Sequence, residues 1–401
     1  MKEFIEKIRI PDEKKILNNL EEVLNFSMIS DLLSFHVSQK KEQTLSKKMQ
    51  FYLPLSPQVV GKLYSLTQEI IHQFNYTDRQ VIFYISNDSD FNLNEDEPHY
   101  IVFNSGIVEK HTEDEMRFII GHELGHLIYK HHIIGHVLDH IYPSRLPDFL
   151  KVIHQLWSNI SEMSADRLGL LAVEDFETAV SVMFRLCSGL DMERLNVTAM
   201  NFMAVNDNLV SDMTTSRQNY LTETHPANSI RMKALDIFYH SRMYKTFLKN
   251  GKFVQDNKIR QQTDELIALL HEQPDDDIDR AVLDFLTAAG YYLINNDREI
   301  TIEKYEELMN MLSSFHSWPP DYVNQLLQKK KLMSIINKSA SIIIEKCPAI
   351  APGLFAKLVH LIAKDQRIKK DEFDILLLIA EKLKLPKRDT VEMILQEIKD
   401  K

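Results

Sequence analysis

Residues 112–126 of the chain read TEDEMRFIIGHELGH, and this stretch decides the fold expected around it. Thr112 and Glu115 have the spacing of a capping box, in which each side chain bonds to the other residue's backbone N–H group at the start of a helix. The two acidic residues between them place negative charge in the first turn, where the helix dipole favours it. The sequence therefore predicts a helix that begins at Thr112 and runs toward Ile141.

His122, Glu123 and His126 lie on this helix with a spacing that suits a metal ion. Side chains four residues apart share one helix face, with their Cβ atoms roughly 5–6 Å apart. Two imidazoles in this arrangement can hold one zinc ion at about 2.0–2.1 Å. Glu123 can then take the proton of a metal-activated water, as peptide hydrolysis requires. The alternative is a solvated helix face that binds no metal.

A catalytic zinc ion needs a third protein ligand and an open position. Glu162 is the candidate, because it lies 162 − 126 = 36 positions after His126, on a helix predicted to begin near Pro147. Asp166 follows one turn later on the same face, where an aspartate can accept a hydrogen bond from a zinc-bound histidine. We expect His122 to be that donor. The sequence thus predicts one zinc ion per chain.

The remaining pattern predicts a mainly α fold with a small β-sheet, an α+β domain followed by an all-α C-terminal domain. Residues 81–85 and 99–103 are short, β-branched and aromatic, as in strands. Elsewhere apolar residues recur at helical spacing, as they do after the expected helix start at Ser56-Pro57.

The predicted domains follow from shifts in composition. The first spans 1–250, with a helical N-terminal segment (1–55) and a catalytic core at about 60–240. Residues 251–280 contain an Asn-Gly pair, a proline and an acidic run, and are predicted to be the boundary region. The helical C-terminal domain takes 281–401.

The chain resembles the gluzincin metallopeptidases of the HtpX and CAAX prenyl protease type. The likeness rests on IIGHELGH at 119–126, SEMSADRLG at 161–169, and Thr-His-Pro at 224–226 with Arg231 beyond it. The resemblance implies a zinc-dependent endopeptidase with a polypeptide substrate. It assigns the zinc to His122, His126 and Glu162, and the general base to Glu123.

The resemblance also implies roles around the cleft. His225 would lie near the cleft and help to stabilise the oxyanion, or else only start a helix before Pro226. Arg231 would be a structural or substrate-side partner. The strand formed by Tyr100, Ile101, Val102 and Phe103 would pair with the substrate backbone as an added strand.

Two departures from the family pattern leave other functions open. Family members often have transmembrane helices, and no apolar run here approaches the roughly 20 residues that span a bilayer. The usual Asn-Ala-Phe-like segment is replaced by the acidic stretch 91–98. One alternative is a zinc-stabilised binding or chaperone-like protein without turnover. Another is an autoinhibited peptidase, gated by the tail or by the 91–98 loop.

The tail resembles TerB-like helical domains over 358–385. It also contains a faint repeat, in which residues 297–305 align with residues 365–373 at an offset of 365 − 297 = 68. Neither copy has the oxygen ligands and central glycine of a calcium loop. We therefore expect an interaction or sensing module that binds a protein partner.

Charge and cysteine content restrict the location and the partners. The chain has 47 basic and 58 acidic residues, giving a net charge of −11, which argues against nucleic acid as a partner. Cys187 and Cys347 are 347 − 187 = 160 positions apart, which suits a reducing compartment and a cytoplasmic protein. His131, His132, His136 and His140 follow on the same predicted helix. The last three are spaced by four and are expected to form a solvated or partner-facing stripe, with a second metal site as the alternative.

Overall fold

The computed structural model divides the chain into two compact units. The first comprises Met1–Pro143 and His154–Leu270, and the second comprises Ser144–Ile153 and His271–Lys401. The structure describes residues 1–24, 51–77, 80–87, 94–97, 100–216, 228–270, 274, 276–295, 300–328, 331–363 and 368–399. The predicted fold class, mainly α with a small sheet and a helical C-terminal region, is confirmed.

Among the residues that the structure describes, the first unit contains four short strands and most of the helices. Its elements are α1 (Lys2–Ile8), α2 (Pro11–Leu24), β1 (Leu53–Pro54), α3 (Gly61–Gln73), β2 (Ile82–Ser86), β3 (Asn94–Glu97), β4 (Tyr100–Asn104), α4 (Ser105–Lys110), α5 (Glu113–Tyr129), α6 (His132–Ile141), α7 (Asp148–Val173), α8 (Phe176–Ser188), α9 (Ala199–Ser216), α10 (Asn228–His240), α11 (Arg242–Asn250) and α12 (Asn257–Ala268). The start of α7, residues 148–153, belongs to the second unit. No helix in the described part of the chain is long and apolar enough to cross a bilayer.

The sheet has the strand order β1-β2-β4-β3, so β4 is an inner strand. It runs parallel to β2, with Ile82 opposite Tyr100, and antiparallel to β3, with Asn94 opposite Val102. Tyr100–Phe103, expected to pair with substrate, lies in this inner strand, and β3 stands opposite Tyr100 and Val102 on the edge away from β2. The acidic stretch expected to be a loop supplies this outer strand, since Asn94–Glu97 forms β3.

Local capping explains how the sheet leads into α5. Asn104 ends β4 and caps α4, because its side chain accepts a hydrogen bond from the Ile107 N–H group at 3.0 Å. Thr112 and Glu115 then form the predicted capping box, with N–H···O distances of 2.8 and 3.2 Å. The prediction of a helix start at Thr112 is therefore confirmed.

The predicted continuation of this helix toward Ile141 was wrong. Lys130 adopts the left-handed conformation (φ 60°) and ends α5, and its N–H group bonds back to carbonyls of the last turn. The His131 N–H group donates to the His126 carbonyl at 3.0 Å. A separate helix, α6, then begins at His132. Because of this break, His131 lies against the last turn of α5.

Glycines let α5 and α7 approach closely. A Cβ atom on Gly121 would lie 2.5 Å from the Ala172 Cβ atom, and one on Gly125 would lie 3.2 Å from the Ala165 Cα atom. On α7, a Cβ atom on Gly169 would lie 2.9 Å from the Phe118 ring. The predicted role of Gly125 in close helix approach is thus confirmed, and Gly121 and Gly169 share it.

One further prediction needs correction. The helix expected to open at Ser56-Pro57 begins at Gly61, because Ser56 and Val59 form a β-bridge and Val60 is left-handed (φ 58°). The division between the units follows Leu270, inside the predicted boundary region 251–280, and α12 in the same region belongs to the first unit.

The second unit is helical over its described residues. Its remaining elements are α13 (Asp277–Ile294), α14 (Ile302–Ser313), α15 (Pro319–Gln328), α16 (Leu332–Lys346), a 3₁₀ turn (Pro348–Ile350), α17 (Ala351–Ala363), α18 (Lys370–Lys382) and α19 (Lys387–Lys399). The helix starts reproduce the repeat offset, since 370 − 302 = 68 and 387 − 319 = 68. The equivalent positions Lys304 and Glu372 form a buried ion pair at 2.7 Å. The faint sequence repeat therefore corresponds to repeated helices.

Candidate metal centre

Three side chains from α5 and α7 converge as the sequence predicts. The Nε2 atoms of His122 and His126 are 3.0 Å apart. The carboxylate of Glu162 reaches both, with 3.6 Å to His122 Nε2 and 3.5 Å to His126 Nε2. This is the group among the described residues whose ligand atoms all lie within 4.8 Å of one another and could hold a metal ion.

The donor set fits a tetrahedral zinc ion. Bonds of about 2.0–2.1 Å at tetrahedral angles place ligand atoms roughly 3.3 Å apart. The two Nε2 atoms are 3.0 Å apart, and the nearest Glu162 oxygens are Oε2 at 3.6 Å from His122 and Oε1 at 3.5 Å from His126. Two imidazole nitrogens with their lone pairs turned toward each other repel at this distance unless a cation lies between them. Two histidines and one carboxylate are also a known catalytic zinc ligand set.

On the His122 side, Asp166 has the predicted position. Its Oδ1 atom lies 3.0 Å from His122 Nδ1, so the opposite nitrogen, Nε2, faces Glu162 and His126. Asp166 is fully buried. Burial alone would raise the pKa of its carboxyl group, but Arg231 and then His122 outweigh burial and hold that pKa well below its usual range. Asp166 therefore stays ionised beside the imidazole.

Arg231, on α10, connects the two carboxylates of α7. Its Nε and Nη2 atoms donate to Asp166 at 2.9 and 2.7 Å, and its Nη1 atom lies 3.1 Å from Glu162 Oε2. The side chain is 8% exposed. These contacts agree with the structural role, one of the two that the resemblance left open for Arg231. His225 lies outside the described residues.

Glu123 lies beside the same cluster. Its side chain is buried, and Oε1 is 3.9 Å from His122 Nε2. Because Glu123 immediately follows His122 on the helix, its carboxylate borders the ligand set without being part of it. The arrangement is the one that a general base next to a metal ion requires.

On the His126 side, the structure shows a contact that the sequence did not predict. His126 Nδ1 lies 2.8 Å from His131 Nδ1, and His131 Nε2 lies 2.8 Å from Glu13 Oε1. Arg9 in turn donates from Nε to the same Glu13 oxygen at 2.7 Å. His131 is buried. The side chain of His136 lies outside the described residues.

The comparisons with known proteins agree with this geometry. Residues 57–146 match the family model described as Peptidase family M48. The segment includes α5 with His122, Glu123 and His126, and it ends before Glu162. The match supports a metallopeptidase.

A plant protein shows a weaker similarity. The plastoglobule-localized metallopeptidase 48, chloroplastic, of Arabidopsis thaliana is 28% identical over 168 residues, which cover 38% of this chain and 48% of that protein. The chain therefore spans about half the length of the curated relative that it matches. No solved structure matches the chain.

Proposed function

We propose that the chain is a zinc-dependent endopeptidase whose single zinc ion is held by His122, His126 and Glu162. The observation that carries the proposal is the convergence of their three ligand atoms, with Glu123 beside them. The match to a metallopeptidase family over residues 57–146 supports it. Assignment to the HtpX and CAAX prenyl protease type remains part of the proposal.

The chain's own residues have distinct tasks in this reaction. When bound, the zinc ion supplies Lewis-acid activation of water and of the scissile carbonyl. Glu123 takes one proton from the attacking water as the C–O bond forms. It passes this proton to the amide nitrogen as the C–N bond breaks, so that the products are an amine and a carboxylic acid, which then releases its proton to solvent. Asp166 and Arg231 hold His122 and Glu162 in place. His225 is proposed to help stabilise the oxyanion.

The substrate backbone is proposed to bind the sheet by strand addition. Main-chain hydrogen bonds to an exposed strand edge are a common way to hold an extended peptide. Because β4 is an inner strand, the outer strand β3 (Asn94–Glu97) is the edge that this mode would use on that side of the sheet. In this arrangement Tyr100–Phe103 would support β3, and β3 would pair with the substrate.

A cellular location and a type of partner are also proposed for the chain. Cys187 and Cys347 are free thiols, which supports the proposal of a reducing, cytoplasmic environment. The second unit is proposed to be a TerB-like module that binds a protein partner. Its repeated helices support an interaction role over a catalytic one.

The test is cleavage of casein by the full chain with and without Glu123→Gln. We expect cleavage by the zinc-loaded wild type, loss of cleavage after chelation, and recovery when zinc is added back. Glu123→Gln should retain zinc and lose at least about 100-fold in rate, which is the usual contribution of a general base. Cleavage by Glu123→Gln at the wild-type rate would contradict the mechanism. Zinc binding without any cleavage by the wild type would favour the binding-protein alternative.

A further inference from the structure

The N-terminal helices reach the metal centre through a chain of buried contacts. Glu13 lies on α2, and Arg9 lies in the turn that precedes α2. The Ile10 N–H group donates to Ser164 Oγ at 3.2 Å, and Arg167 Nη1 donates to the Ile8 carbonyl at 2.8 Å. These contacts fasten the turn to α7, the helix that carries Glu162.

Helix α1 and this turn also contact the end of α5. The Tyr129 hydroxyl donates to the Ile5 carbonyl at 2.6 Å, and the Arg9 guanidinium lies 4.9 Å from the centre of the Tyr129 ring. Glu13 is 0% exposed and forms an ion pair with Arg9. A buried carboxylate needs such a partner, because an unpaired buried charge is very costly. Glu13 is therefore held as an anion at a fixed place, 2.8 Å from His131 Nε2.

Proton positions along this chain follow from donor and acceptor chemistry. An ionised carboxylate only accepts, so His131 must carry a proton on Nε2 to donate to Glu13. In neutral His131 the other nitrogen, Nδ1, is then an acceptor. It lies 2.8 Å from His126 Nδ1, which must therefore donate. The proton of His126 is thus on Nδ1, and its Nε2 lone pair points toward Glu162 and His122.

We propose that Glu13 and His131 form a positioning relay that fixes the tautomer and ring orientation of His126 for metal binding. The inference rests on the metal site proposed above. Asp166 orients His122 by direct contact, whereas Glu13 orients His126 through His131. Partners of this kind orient a ligating histidine and raise its basicity.

The relay gives the N-terminal helices a role in the metal centre. Glu13 precedes residues 57–146, the segment that matches the peptidase family model. It lies in the helical N-terminal segment, 1–55, that the sequence places ahead of the catalytic core. His131 reaches His126 because α5 ends at Lys130 in a left-handed conformation. A continuous helix would turn position 131 away from position 126.

The test measures the zinc dissociation constant of the full chain by competition with a chromogenic chelator. Removing such a partner typically weakens metal binding about 10–100-fold. We expect that loss for His131→Phe and about 10-fold for Glu13→Gln. His131→Asn should bind more tightly than His131→Phe, because its amide oxygen can replace Nδ1 as the acceptor. Wild-type affinity in both Glu13→Gln and His131→Phe would overturn the relay.

Glu115→Gln is the matched control. Glu115 is a second buried carboxylate of the first unit, 3% exposed and paired with Arg185 at 3.2 Å, but it lies 122 − 115 = 7 positions before His122. Its substitution should lower stability while the zinc dissociation constant stays within about threefold of wild type. An equal loss of zinc affinity in this variant would show a general effect of destabilisation and would overturn the relay.

A spectroscopic readout separates positioning from simple packing. In zinc-loaded protein with ¹⁵N-labelled histidine, the spectra should show the Nδ1–H tautomer for His126 and the Nε2–H tautomer for His131. The Nδ1–H tautomer for His131 would overturn the relay even if the variants lose affinity. Loss of zinc in His126→Ala with wild-type affinity in both relay variants would leave the proposed function standing. A wild-type chain that binds no zinc would remove both proposals.

Discussion

Substituting Glu13 by glutamine should change how the stability of the first unit depends on pH. Burial alone would raise the pKa of the Glu13 carboxyl group, but His131 and Arg9 outweigh burial and lower it to about 2, from an ordinary value of 4.5. The difference of about 2.5, at about 1.36 kcal/mol per pKa unit, sets an upper bound of roughly 3 kcal/mol on stabilisation by the ionised group. Part of the shift comes from a positively charged His131 and is absent when that ring is neutral.

The sign follows from the direction of the shift. Because the pKa is lower in the folded state, the stabilisation is complete above pH 4.5 and is lost as the pH falls from 4.5 toward 2. Glu13→Gln should therefore be less stable than wild type at pH 7, by up to about 3 kcal/mol. The two free energies of unfolding should converge as the pH approaches 2.

Tryptophan fluorescence allows the measurement on the full chain. The protein has two tryptophans, Trp157 in the first unit and Trp318 in the second. In a Trp318→Phe background, Trp157 reports on the first unit, and its ring lies 5.4 Å from the His131 ring. Urea unfolding is measured from pH 7 to pH 3 in the presence of a chelator. The difference between the free energies of unfolding of the variant and the wild type removes the contribution of titrating groups that do not contact Glu13.

The exposed carboxylate of Glu3 provides the control, because it pairs with Lys7 at the surface. Glu3→Gln should follow the wild-type curve at every pH. Parallel curves for wild type and Glu13→Gln between pH 7 and pH 3 would refute the reasoning, because they would show that the ionisation of Glu13 does not contribute to stability.

Three further predictions test packing and orientation. Gly121→Ala should cost about 1–3 kcal/mol of stability, because the added methyl group would lie 2.5 Å from a side-chain atom of α7. Gly135→Ala, where the added methyl group would have no atom within 4 Å, should gain about 0.5–1 kcal/mol. Equal effects of the two variants in urea unfolding would contradict this reasoning. Asp166→Asn should raise the zinc dissociation constant about 10–100-fold in the chelator competition, and an unchanged constant would refute its orienting role. Lys304→Met should destabilise the second unit by about 3–5 kcal/mol, as followed by its tryptophan, and adding Glu372→Leu should recover most of that loss. A single variant as stable as wild type would show that this ion pair is not needed.

The sequence predicted the parts of the metal centre that depend on local spacing. His122, Glu123 and His126 lie close together because they are on one helix. The capping box was enough to predict where that helix begins. Glu162 was expected because a zinc site needs a third ligand. Its convergence with the histidines depends on the close approach of two helices, which glycine at position 125 indicated.

The relay could not be predicted in the same way. Glu13 is 131 − 13 = 118 positions from His131, and no spacing rule connects them. The turn at Lys130 carries no glycine or proline, so the apolar and histidine pattern indicated one long helix. Similarly, the acidic stretch before Tyr100 indicated a loop, because strand formation by Asn94–Glu97 depends on pairing with β4.

Zinc content is the most direct test of the central claim. Elemental analysis of the purified full chain should give about one zinc ion per chain, with loss in His126→Ala and in Glu162→Ala. His140→Ala, an exposed histidine on α6, should retain the metal. A wild-type chain without zinc after reconstitution, or full zinc retention in Glu162→Ala, would contradict the site described here.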